Sequence, residues 1–311
     1  GEFPSSLSAT DIVSLPQLQL PIIPFELTAP VLGLLLVFRT DAAYERFKQG
    51  SALSWDMTAS TRNVMRRFAS WTARDICTDT ERTAGRDLID ACCILHGWIM
   101  GEYLRGEEVS DAVTSKFLEQ PSDDDDDDGR GSRSGSSLQT ALLHKALAVR
   151  SLTEEERTAI NVEELDRLGE HMTPSLAMTA ISLGATQRLP SLTDQENIAI
   201  DDCFAELTIN LANCEKLLRT PIPLGYTRYA VRFLWIWLIL LPFALVRPFY
   251  QFGEQPILVL AMLFISYVFL SIEDIAVQIE EPFVTLPLEL HQKWLLWDAE
   301  QMQALMRWTD K

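Results

Sequence analysis

Three long apolar stretches alternate with polar, helix-patterned segments along the chain, and this alternation sets the architecture. The first stretch, Leu15 to Phe38, matches the ~20 residues needed to cross a ~30 Å hydrocarbon layer, although it contains Glu26 and four prolines. Pro16, Pro21 and Pro24 suit an extended approach, so the pattern predicts a regular helix from Pro24 through Arg39. The second stretch, Tyr229 to Phe252, is rich in Leu, Ile, Trp and Phe. Arg232 and Arg247 lie near its ends, where long cationic side chains can snorkel to headgroups or pair inside a bundle. Trp235, Trp237 and Tyr250 occupy positions suited to interfacial anchors. The third stretch, Ile257 to Ile272, has no charge and follows the turn Gly253-Glu254-Gln255-Pro256. Two antiparallel spans joined by a tight turn are predicted here.

The segments between these stretches carry helical rather than strand periodicity. From Asp41 to Ala73, Ala, Arg, Met and Trp recur at three- and four-residue spacing. Further helices are predicted at about Thr80–Arg105, Leu138–Val149, Glu154–His171, Pro174–Ser182, Thr193–Arg219 and Leu288–Trp308. Thr193-Asp194-Gln195-Glu196 reads as a capping box, with Thr193 as N-cap and Glu196 three residues on. Strand signals are nearly absent, so the expected fold class is all-α, a multi-span membrane protein with a large helical cytosolic or stromal domain. From Pro121 to Ser137 the chain is low in complexity and rich in Asp, Gly and Ser, which predicts a disordered acidic insertion. The expected organisation is an N-terminal segment with the first membrane helix (1–39), a helical domain (40–224), two membrane helices (225–272) and a C-terminal helical segment (273–311). The three runs are an odd number, and a further span upstream of Gly1 is expected. The block from Thr40 to Leu224 and the tail after Ile272 would then share one side of the membrane.

Composition removes several functions. A length of 311 residues with 47% apolar content suffices for a sizeable core, and a mean hydropathy of +0.05 beside 23% charged residues requires the apolar residues to be bunched. A net charge of −18 argues against nucleic acid, whose phosphates need a basic patch. Whole-chain charge does not set the field of a local pore, and six of the acids form one run, Asp123 to Asp128. Five cysteines without CxxC spacing fit a reducing compartment. The four histidines are dispersed and lack HExxH spacing, so neither a metal site nor a cofactor is expected. No nucleophile elbow, Walker loop or dinucleotide fingerprint points to an enzyme.

Three well-separated segments carry a family resemblance. LTAPVLGLLLVFRTDAAYERF, Leu27 to Phe47, resembles the pore helix of the bestrophins running into a polar segment. CEKLLRTPIPLGYTRYAVRFLWIWLILLPFAL, Cys214 to Leu245, is similar to their TPIP-x-x-Y lead into a membrane span, with Pro221, Pro223 and Tyr226. IEDIAVQIEEPFVTLPLEL, Ile272 to Leu290, resembles their I-E-x-P-F-G signature at Glu280, Pro282 and Phe283. The wording LLLVFRT is similar to the chloroplast branch, the thylakoid voltage-dependent chloride channels and the algal bestrophin-like bicarbonate channels. The resemblance implies a homopentameric anion channel with a central pore, passing chloride or bicarbonate across the thylakoid membrane. Asp41 replaces the family's Asn, Phe47 its Trp and Val284 its Gly. Val284 to Leu288 offers no cluster of oxygen ligands, so no calcium activation is expected there. The aspartate run reads as solvated charge, not a calcium cage.

If five copies of the first helix surround a pathway, matching Val31-Leu32-Gly33 to the family's neck turns Glu26, Pro30 and Leu34 toward the axis. A register shifted by one would place Phe25, Ala29 and Gly33 there. An apolar neck passes anions that shed water easily. A carboxylate at helix centre costs ~2.5–3.5 kcal/mol in hydrocarbon, so Glu26 should face water, find a partner or hold a proton. Five such groups crowded at a pore mouth would share protons, and acidification would favour anion conduction. The alternative is a solvated or arginine-paired Glu26 at the membrane edge. Helix N-termini at Leu27-Thr28-Ala29 and before Tyr226 can attract anions. Arg39 and Arg46 either line the vestibule or pair with Glu273, Asp274, Glu280 and Glu281, pairing being the commoner fate of a buried arginine. From another class, a membrane-tethered helical scaffold would share the same composition.

Overall fold

The computed structural model describes residues 20–105, 138–148, 172–250 and 255–309, and every regular element among them is helical. Helix α1 (Ile23–Thr72) is followed by α2 (Asp79–Trp98), which continues into a π-helical turn (Ile99–Tyr103). Helices α3 (Leu138–Leu147), α4 (Pro174–Arg188) and α5 (Asp194–Arg219) follow, then α6 (Leu224–Tyr250) and α7 (Gln255–Glu280). A single turn, α8 (Pro282–Thr285), leads into α9 (Leu288–Thr309). The expected insertion at 121–137 and the expected helix at 154–171 lie outside the described residues.

Where the sequence suggests two helices, 24–39 and 41–73, the structure has one helix of 50 residues. No proline or glycine lies between Gly33 and Gly50 to break it. Thr40, placed at the expected junction, donates its hydroxyl back to the Leu36 carbonyl at 2.7 Å and continues the helix instead of capping a new one. Helix α4 likewise runs past Ser182 to Arg188, across Gly184. A Cβ at that glycine would collide with the Ala146 carbonyl oxygen, so its absence lets α3 lie close, and Arg188 Nη1 donates to the end carbonyls of α3 at Lys145 (2.8 Å) and Ala146 (3.3 Å). The expected capping box at the start of α5 is present, and an equivalent one, Thr78 with Glu81, starts α2.

The chain divides into two units. The first comprises Gly1–Arg46 and Pro221–Glu280, and the second Phe47–Thr220 and Glu281–Lys311. The first has a core of Leu32, Leu36, Leu234, Trp237, Leu238 and Leu241, with Met262 and Phe269 of α7 packed against it. Helices α1, α6 and α7 are long and apolar enough to cross a membrane. The second unit buries a larger core in which Phe68, Leu88, Ile94, Leu95, Ile99 and Leu142 are all at most 1% exposed.

Candidate permeation helix and its supports

Within the first unit, the N-terminal half of α1 has two distinct faces. Phe25, Ala29, Leu32 and Leu36, spaced by three and four residues, lie against α6 and α7. Phe25 meets Trp237 at a ring-centroid distance of 6.1 Å, and Trp237 meets Phe269 at 5.6 Å. A polar contact fixes the rotation of the helix. The Thr28 hydroxyl donates to the Pro24 carbonyl at 2.7 Å and accepts the indole N–H of Trp237 at 3.2 Å. A Trp buried among apolar groups needs an acceptor for its N–H, and a threonine one turn into the helix supplies it.

The opposite face has no cover within the chain. Glu26, Pro30 and Leu34 are exposed there, together with Leu27 (70%), Val31 and Val37. Of the two registers expected from sequence, the residues of one, Glu26, Pro30 and Leu34, thus lie on the open face, while Phe25 and Ala29 of the other are packed inside the unit. Gly33 has no atom within 4 Å of where a Cβ would stand. Pro30 also lacks the N–H that would bond the Glu26 carbonyl in a regular helix.

Arg39 is 3% exposed and makes an ion pair with Glu273 of α7. Arg46 directs its Nε–H to the Glu280 carbonyl, 3.2 Å away, at the last residue of α7. Both contacts tie α1 to α7. The pairing expected for Arg39 is present, with Glu273 as the partner.

The remaining signature residues divide between surface and packing. Pro221 and Pro223 are exposed in the link between α5 and α6, and Tyr226 lies in the first turn of α6. Pro282 and Phe283 form the start of α8, and Phe283 is 2% exposed in the core of the second unit. Pro282 rests on Gly50, where a Cβ would come within 2.5 Å of its ring. Of the departures from the family pattern, Asp41 is exposed, Phe47 packs partly buried on the second unit's core, and Val284 is 47% exposed.

The structure also gathers residues that the sequence leaves dispersed. His96 of α2 and His291 of α9 both face the hydroxyl of Thr58 on α1, at 3.2 and 3.1 Å. Their separation of nearly two hundred positions hides the pairing, and the only signal is that each lies on the apolar stripe of its helix. The Gly50–Pro282 contact was more accessible, since a glycine inside a helical pattern marks a close approach. Among the described residues no group of three or more His, Cys, Asp or Glu is arranged to hold a metal ion.

The comparisons with known proteins agree with this architecture. Residues 6–300 match the family described as bacterial/fungal bestrophin protein. A voltage-dependent anion channel-forming protein of Nostoc is 27% identical over 268 residues, covering 85% of this chain and 70% of the relative. The chloroplastic voltage-dependent chloride channel 1 of Arabidopsis thaliana is 27% identical over 270 residues, 86% of this chain but 52% of that protein. The chain thus spans about half the length of its plant relative. Among solved structures, a bacterial bestrophin homologue from Klebsiella pneumoniae superposes with a TM-score of 0.65 over 92% of this chain and 89% of that one, at 23% identity. With the match to the family running through nearly the whole chain, and the fold shared with its bacterial homologue, the protein belongs to the bestrophin family.

Proposed function

We propose that the protein is a subunit of an anion channel in which copies of α1 surround a central pathway and Glu26, Pro30 and Leu34 line its neck. The observation that carries this reading is the uncovered face of α1. Helix α7 is also exposed, but residues 257–272 have no charge and suit lipid. The open face of α1 contains a carboxylate, Glu26, in the first turn of the helix, a group that hydrocarbon disfavours. Such a face is better turned to water or to another copy. A closed ring of copies meets both needs, and a homopentamer is the assembly proposed here. In it Arg39 and Arg46 act as helix ties and not as vestibule cations, and anion attraction comes from the N-terminal end of α1.

Chloride is the proposed ion, in keeping with the names of the relatives from Arabidopsis, and the membrane proposed is the chloroplast thylakoid, which the LLLVFRT wording and those two chloroplastic relatives favour. Bicarbonate, the cargo of an algal thylakoid channel, is the second reading. Reversal potentials in opposed chloride and bicarbonate gradients separate the two. The neck is tested by recording Glu26→Gln and Leu34→Ala channels in planar bilayers over a pH series. Glu26→Gln is expected to change conductance and flatten its pH dependence, and Leu34→Ala to raise conductance by widening an apolar constriction. Unchanged currents in both variants would remove α1 from the pathway. Particle images counting subunits around the axis test the pentamer.

A further inference from the structure

Away from the membrane helices, three elements of the second unit meet at one buried hydroxyl. Thr58 is completely buried, as is His96, and His291 is 5% exposed. The Thr58 hydroxyl lies 2.8 Å from the Ser54 carbonyl, 3.2 Å from His96 Nε2 and 3.1 Å from His291 Nδ1. A threonine hydroxyl has one proton to give. If that proton goes to the Ser54 carbonyl, as in a helix-internal threonine, both imidazole nitrogens facing Thr58 must donate. His96 is then protonated on Nε2 and His291 on Nδ1. The remaining nitrogens are bare, and His96 Nδ1 is buried with no hydrogen-bond partner.

The two rings differ in what a second proton would meet. On His96 it would create an N–H in an apolar interior with no acceptor, an arrangement that is strongly disfavoured. His291 stands instead at the rim. Its ring centroid is 4.3 Å from Trp55 and 5.8 Å from Trp294, and these two indoles, 46% and 44% exposed, stack on each other at 5.6 Å. A protonated His291 can take the faces of the indoles as cation–π partners and reach water between them.

We propose that His291 is the proton acceptor of a latch that joins α1, α2 and α9, and that acidification opens it. In the neutral state His291 donates to the hydroxyl of Thr58 and holds α9 to α1. Once charged, the ring loses more by burial than its hydrogen bond to the Ser54 backbone returns, so it turns toward the exposed indoles and solvent and leaves Thr58. The charged and titratable groups acting on it from the packed helices are Arg62 of α1 and His96 of α2, both opposing a second positive charge. Asp298 of α9 pairs with Arg62 and moderates that opposition.

Burial holds His291 below the ordinary histidine range against a hydrogen bond to the Ser54 backbone that favours the charged ring, with the charge of Arg62 a lesser aid to burial, and burial, His291 and Arg62 hold His96 at about 3. Because the unfolded chain binds these protons more readily, stability is complete above about pH 6.5 and falls as the pH drops below it. The purified full chain, in detergent, is titrated from about pH 8 to about pH 4 while tryptophan emission and the melting temperature are read. Wild type is expected to lose emission, as imidazolium quenches the flanking indoles, with a midpoint below about 6.5, and to lose melting temperature over the same range. His291→Gln is expected to abolish the emission step and to lessen the loss of melting temperature, the remainder coming from His96, which the unfolded chain still protonates more readily. Trp294→Phe, at a half-exposed position that tolerates the change, should keep the midpoint and remove roughly half of the emission loss, since two indoles flank the ring. Should His291→Gln fail to fold, Trp294→Phe decides alone. A step unchanged in these variants, or a wild-type midpoint at or above the ordinary histidine value, overturns the latch.

Discussion

In the second unit thirteen of the twenty residues of α2 are buried, whereas in the first unit only 6% of the apolar window of α7 and 22% of that of α1 are covered by the chain itself. The same residue types are used for different ends. In the second unit, apolar burial drives association, at roughly 25 cal/mol per Å² removed from water. In hydrocarbon an exposed leucine loses nothing, so packing shape and a few polar pairs select the face that one helix turns to the next. The indole-to-threonine bond at Thr28 and the Arg39–Glu273 pair do this in the first unit. Polar contacts of the second unit instead satisfy groups that burial has already enclosed, as around Thr58.

The largest expected effect breaks this comparison if it fails. Removing one partner of the buried pair, by Arg39→Ala or Glu273→Ala, leaves an uncompensated charge and is expected to cost about 3–5 kcal/mol. The joint replacement Arg39→Met with Glu273→Met should recover most of it. In the second unit Arg62 pairs with Asp298, but these side chains are 37% and 27% exposed. Arg62→Ala should cost no more than about 1 kcal/mol. Thermal melts in detergent, arranged as double-mutant cycles, measure both pairs. A cost at Arg39 as small as that at Arg62 would mean that apolar packing alone holds α1 in place.

The contrast also explains how far the sequence could be read. The runs at 229–252 and 257–272 located α6 and α7, because a span is defined by length and apolarity alone. Thr193 and Glu196 located the start of α5, because a capping box is local. Periodicity could not join 24–39 to 41–73, since charged residues such as Arg39 and Asp41 read as a helix end until partners for them are known. Glu273 and Glu280, which hold Arg39 and Arg46, lie more than two hundred positions away. In the candidate neck, the sequence left two registers open because Phe25, Ala29, Pro30 and Leu34 are all compatible with hydrocarbon. The distinction between the faces comes from Trp237, whose indole N–H selects Thr28 and so turns Phe25 and Ala29 inward.

Two glycines of α1 sharpen the comparison at intermediate magnitude. Gly50 belongs to the second unit, and a methyl there would meet Pro282 at 2.5 Å. Gly50→Ala should force apart the contact between α1 and α8 and cost about 1–3 kcal/mol. Gly33 belongs to the first unit and has open space around it. Gly33→Ala should leave stability within about 1 kcal/mol of wild type, with the helix preference of alanine acting in its favour. Melting temperatures of the two variants, compared at one detergent concentration, check the difference. Equal destabilisation would mean that the open space beside Gly33 is filled by a neighbouring copy as tightly as Pro282 fills that beside Gly50.

The smallest effect is a matter of acid response, and it belongs to the second unit. Glu81 accepts the N–H of Thr78 at 2.7 Å and that of Ser191 at 2.8 Å, so one carboxylate both caps α2 and anchors the link ahead of α5. Burial pushes its acidity toward the neutral form, but the hydrogen bonds from Ser191 and Thr78 outweigh burial and hold it at about 2. The stability it supplies is therefore present above its unfolded value near 4.5 and is lost as the pH falls toward about 2. This window lies below the onset expected for His291, so the two responses separate on one titration. Thr78→Ala should cost about 1 kcal/mol at neutral pH. Glu81→Gln, unable to ionise, should flatten the decline of the melting temperature below about pH 4.5 while leaving the histidine-dependent decline at higher pH intact. A decline below that value as steep in Glu81→Gln as in wild type would assign the acid sensitivity to other carboxylates and leave Glu81 with its capping role alone.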